Sequence, residues 1–133
     1  MKKLSLVIAV IAIITLTAIC FMACTKIPND PNDAKQKFED NGCTVDLHTD
    51  EFYLDSIEAS LESRGCILIG NITAYMTITL NGESAKILYF EYGNDAETAY
   101  DFYVTQEAPQ ESYLDTDKIF IGTKALYEIL KKK

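Results

Sequence analysis

Histidine is nearly absent from this chain: His48 stands alone in 133 residues. That scarcity excludes a histidine-rich metal cage, and no H-E-x-x-H pattern of a metalloprotease is present. Glycine is sparse as well, with six residues. They form neither a phosphate-cradling loop nor the Gly-x-Ser-x-Gly elbow of a serine hydrolase. The acidic stretch around Asp30 and Asp33 lacks the fixed Gly and terminal Glu of a calcium loop. Basic residues are outnumbered, 12 against 20 acidic. A chain of that balance is repelled by nucleic acid and by anionic headgroups. No metal or cofactor is implied, and no carboxylate pair stands out as catalytic.

What is abundant comes first in the chain. Lys2 and Lys3 precede an apolar run from Leu4 to about Ala23, followed by Cys24. A positive region, an apolar region and a small residue before a processing site make an export leader. With cysteine directly after Ala23, the segment resembles the lipobox leader of bacterial lipoproteins, although Phe21 and Met22 depart from the commonest residues there. The resemblance covers residues 1–23 and implies acylation of Cys24, which would become the mature N-terminus. Two other readings stay open. The run is close to the ~20 residues that span a bilayer, so it also fits an uncleaved anchor, and an ordinary cleaved signal is the third. All three place the remainder at the extracytoplasmic face, held to the bacterial membrane by a lipid or an N-terminal helix in the first two.

Setting Lys2 and Lys3 aside from the 12 basic residues leaves ten against 20 acidic, a formal charge of −10 beyond the leader. Residues 24–33, with two prolines and four Asn/Asp, read as a linker tether. Residues 34–133 are the length of one domain. Within it the pattern predicts a short helix from Ala34 to Asn41, a strand in which Cys43, Val45 and Leu47 alternate with polar residues, and a helix capped by Asp50 and stopped at Gly65. Gly42 and Gly65 each precede a cysteine and read as left-handed helix caps. From Ile72 to Leu80 apolar residues alternate strictly with Thr or Tyr. Asn81-Gly82 then turns a hairpin into residues 84–92. Asn94 and Glu97 read as a capping box, a polar loop contains Pro109, Lys118 to Ile121 forms a short strand, and Thr123 caps a last helix. The expected class is α+β: a small antiparallel sheet with helices on one face, in the ferredoxin-like order β-α-β-β-α-β with extra N- and C-terminal helices.

The two-residue turn sets a register. Leu80 faces Glu83, so Ile78, Met76 and Ala74 pair with Ala85, Ile87 and Tyr89 on the core face. The other face carries Tyr75 beside Leu88, Thr73 beside Phe90, and Tyr92. Asp46 and His48 join it if the first strand lies alongside. A patch of Asp46, His48, Tyr75, Leu88, Phe90 and Tyr92 is a candidate interaction surface, since contiguous apolar area on a monomer often marks one. Cys43 and Cys66 are candidates for a disulfide outside the cytoplasm. The split order argues against the bond, because two strand spacings of about 9.6 Å exceed its reach. The expected function is a membrane-anchored, non-enzymatic binding module for an envelope protein or small ligand. The alternatives are a structural or accessory envelope protein with that face covered, and a small hydrolase built on His48 and Asp46.

Overall fold

Every strand of the sheet runs antiparallel to its neighbours, in the order β1-β2-β3-β5-β4. The computed structural model describes residues 26–106 and 111–132. In chain order its elements are α1 (Pro31–Asp40), β1 (Thr44–His48), α2 (Glu51–Ser63), β2 (Ile72–Leu80), β3 (Glu83–Phe90), α3 (Gly93–Gln106), β4 (Glu111–Asp115), β5 (Lys118–Gly122) and α4 (Lys124–Lys131). The class is α+β, as the pattern predicts. The leader and Cys24 lie outside the described residues, and none of the described helices is long and apolar enough to cross a membrane.

The ferredoxin-like order does not hold. β1 and β2 are direct antiparallel neighbours, with Asp46 beside Thr77 and His48 beside Tyr75. The reason lies between α2 and β2. Residues 64–71 return the chain without joining the sheet, so β2 starts at the end where β1 finishes. Two hydrogen bonds pin this return: the Ile69 and Gly70 N–H groups donate to Asp95 Oδ1 and Oδ2 at 2.8 and 2.7 Å. Asp95 is buried in the first turn of α3. Asn94 is therefore no N-cap. The helix already begins at Gly93, and the Tyr92 carbonyl accepts from the Asp95 and Ala96 N–H groups.

Helices cover both faces of the sheet rather than one. On the first face Ala34 and Phe38 of α1 and Leu126, Ile129 and Leu130 of α4 pack on Ala74, Met76, Ile78, Ile87 and Phe120. On the second, Leu54 and Leu61 of α2 and Ala96, Ala99 and Tyr103 of α3 pack on Leu88, Phe90, Ile119 and Ile121. The uninterrupted Ile119-Phe120-Ile121 run is what a strand buried on both sides requires. At its end Gly122 lies opposite Ala85, where a side chain would approach the Ala85 Cβ to 2.3 Å; only glycine fits that crossing.

The hairpin register holds from Leu80 to Ala74. It then shifts, so that Phe90 pairs with Ile72 and not with Thr73. This bulge turns Ile72 to the second face, into the layer beneath α2 and α3. The cap glycines behave as expected: Gly42 and Gly65 have φ of 86° and 94°. The following Cys43 and Cys66 N–H groups donate back to Phe38 and Leu61 carbonyls at 3.0 and 2.9 Å, the Schellman arrangement.

The expected linker over 24–33 is shorter where the structure describes it. Asp30 caps α1 through the Asn32 N–H, and Pro31 is its first residue, a position that needs no N–H donor. Ile27 is buried in the first-face core. Its N–H donates to Asp115 Oδ2 at 2.7 Å, and the Tyr89 hydroxyl donates to the Pro28 carbonyl at 2.8 Å. Residues 27–30 are thus a strap fastened to the sheet.

Candidate functional site

The predicted surface divides once its residues are placed. Leu88 and Phe90 at its centre are 0% and 2% exposed, covered by α2 and α3. They form core and offer no surface. The physical reason is the return segment 64–71, which lets α2 lie over the face that alternation alone assigns to solvent. Tyr75 is half-buried at the rim of the same layer. Asp46 stays exposed on the edge strand, and Tyr92 is 50% exposed just beyond β3.

His48 and Tyr75 do come together, with a third aromatic that the sequence pattern does not point to. The His48 imidazole stacks on the Tyr53 ring at 3.8 Å between centroids and 10° between planes. Tyr75 closes the cluster, 6.5 Å from His48 and 6.0 Å from Tyr53. α2 makes the stack possible: Asp50 caps it by accepting from the Tyr53 N–H at 3.0 Å, which sets Tyr53 over the end of β1. The imidazole is held by ring packing, and Asp46 makes no hydrogen bond to it. An Asp-assisted general base works through a carboxylate on the ring nitrogen; in this structure the ring's contacts are with Tyr53 and Tyr75.

Cys43 and Cys66 are free, buried thiols. They sit on opposite faces of the sheet, in the α1/α4 and α2/α3 layers respectively. The bond is therefore not made, and the barrier is the sheet itself and not the strand spacing. Burial raises both thiols above their ordinary range; Asp95 adds to the effect at Cys66, while Lys132 and Arg64 oppose it at Cys43 and Cys66 respectively.

Three features gather at one end of the sheet, and of their residues the sequence pattern points only to Tyr92. This is the end where β1 and β3 finish and β2 and β5 begin. The first is the strap, with Asp115 as its clasp. The second is the buried Asp95 that ties down Ile69 and Gly70. The third is a set of exposed apolar side chains. Phe52 in the first turn of α2 is 88% exposed and Ile69 is 83% exposed. The ring of Tyr92 lies over Gly70, where an added Cβ would come within 2.5 Å of its Cδ2. Ile69, Tyr92, Gly93 and Asn94 line an open hollow of about 380 Å³. In the sequence the apolar stretch from Cys66 to Ile69 reads as the start of an extended segment bent at Gly70-Asn71; in the structure it stays outside the sheet.

No protein-family model matches the sequence, and neither a curated protein nor a solved structure matches it.

Proposed function

We propose that this chain is a lipoprotein of the extracytoplasmic face of a bacterial membrane, anchored through acylated Cys24, and that its domain is a structural or accessory component without catalytic activity. The leader supports the anchor: Lys2 and Lys3, the apolar run and Ala23-Cys24. One observation carries the choice of role. Leu88 and Phe90, the centre of the sheet face a binding module would use, are buried beneath α2 and α3. The stacking of His48 on Tyr53, with no hydrogen bond to Asp46, weighs against a hydrolase.

The intact mass of protein extracted from its native membranes tests the anchor. A chain beginning at Cys24 and carrying acyl groups is expected, and Cys24→Ser should accumulate as the unprocessed, unacylated chain. An unmodified full-length mass for the parent would replace the lipid with an uncleaved membrane segment. More than one acyl chain is expected, since each buried methylene adds only about 0.8 kcal/mol of membrane affinity.

A further inference from the structure

The strap determines which part of the domain a membrane anchor can bring to the bilayer. Ile27 is buried and its N–H is held by Asp115. It lies three positions after Cys24 and four after the end of the apolar run at Ala23. Fully extended, that stretch reaches about 10–14 Å. A domain fastened this closely cannot swing on a long tether. The end of the sheet that receives the strap stays beside the headgroups under either form of anchor.

The exposed apolar side chains are at that same end. Tyr92 lies two residues beyond the end of β3. Ile69 lies three residues before β2, fixed to the start of α3 through Asp95. Phe52 lies four residues beyond the end of β1, next to the Tyr53 that stacks on His48. Together with Ile27 they come from four separate stretches of chain. The opposite end, at the Asn81-Gly82 turn, carries Thr79, Ser84 and Glu83.

We infer that this end of the sheet, with Phe52 beyond edge strand β1, Ile69 and Tyr92 at the ends of the central strands β2 and β3, and the strap at Ile27 on the opposite edge strand β4, is a docking surface for the lipid bilayer. The inference rests on the proposed membrane anchor and adds an orientation and a contact surface to it. Its acidic neighbours Asp50, Glu91, Asp115 and Asp117 select a headgroup layer without net charge, because anionic lipid repels them. Aromatic side chains with a polar tip, such as Tyr92, suit the headgroup level.

The absence of tryptophan from the chain makes the test direct. Phe52→Trp, Ile69→Trp, Tyr92→Trp and, as the control about 20 Å away along β3, Ser84→Trp each introduce a single indole. Each full-length variant is taken from membranes with its anchor and reconstituted into phosphatidylcholine vesicles with brominated acyl chains. Far-ultraviolet circular dichroism confirms folding, which the exposure of Phe52 and Ile69 makes easy to retain. Loss of indole emission is expected at 52, 69 and 92, with emission at 84 unchanged. Floating with the vesicles while any of the first three keeps its emission overturns the surface and leaves the anchor standing. Quenching at 84 equal to the others also overturns it. Failure to float with the vesicles removes the anchor, and the inference with it.

Discussion

Asp95 has no side-chain role that the sequence alone makes visible, yet it fastens the return segment after α2 to the start of α3. Its two oxygens accept from consecutive N–H groups of the return segment, and its own backbone starts α3. Hydrogen bonds to a carboxylate acceptor are the stronger kind, and these two donors are partly shielded from the water that would replace it. Asp95→Ala is expected to lower stability by about 2–4 kcal/mol in urea unfolding, and Asp95→Asn by less, because one acceptor remains. Tyrosines add a pH dependence. Burial first, then nearby carboxylates, holds the phenols of Tyr89, Tyr113 and Tyr127 above their ordinary value; for Tyr113 its hydrogen bond to Glu111 contributes as well. The unfolded phenols ionise near pH ~10 while the folded ones keep their protons. The folded state then binds more protons, so stability falls as pH rises. Below that range the contribution is complete, and it disappears as pH climbs toward the folded values. Urea midpoints measured at about pH 8 and about pH 10.5 should drop, and the drop should shrink in Tyr89→Phe.

Among the elements, the strap is fastened by side chains from two strands distant in sequence, Tyr89 of β3 and Asp115 of β4. Asp115 closes β4 and Asp117 leads into β5, where its carboxylate pairs with buried Lys118 at 2.7 Å. Asp115→Ala is expected to release Ile27 with a local loss of about 1–3 kcal/mol. Hydrogen exchange should show it as faster exchange at the Ile27 amide, with the amides of β2 and β3 unchanged. The β4–β5 hairpin marks the limit of what the sequence could tell. Asn81-Gly82 announces its turn because both residues favour positive φ. The turn at Thr116-Asp117 uses a threonine at φ 56°, a residue that seldom takes that conformation, so β4 reads as polar loop. The β2–β3 register, the two glycine caps and the α+β class were legible because each is a local matter of spacing. Where α2 lies was not local. It depends on residues 64–71 doubling back under the hold of Asp95, 25 and 26 residues away from its two donors. One clue was present in the sequence: Ile119-Phe120-Ile121 has no polar side, and a sheet with one solvated face has no place for such a strand. The candidate surface followed the same error. Its edge members Asp46 and Tyr92 are exposed, while its central members belong to a second core.

At the scale of the whole molecule, the two helical layers differ in how the chain supplies them. The α2/α3 layer comes from the interior of the sequence. The α1/α4 layer comes from its two flanks, joined by contacts such as Lys37 Nζ donating to the Leu130 carbonyl at 2.7 Å, 93 positions away. Contacts of that separation form late, since the loop they close must first be ordered. A chain that emerges N-terminus first therefore has α1, the complete hairpin and the inner layer in place while Met76, Ile78 and Ile87 still await Leu126, Ile129 and Leu130. Until that last helix arrives, half of one sheet face is open to water and to other chains, the condition under which newly made proteins associate wrongly. The eight residues of α4 thus act as the domain's closing latch, and the first face of the sheet is complete only once Leu126, Ile129 and Leu130 have docked.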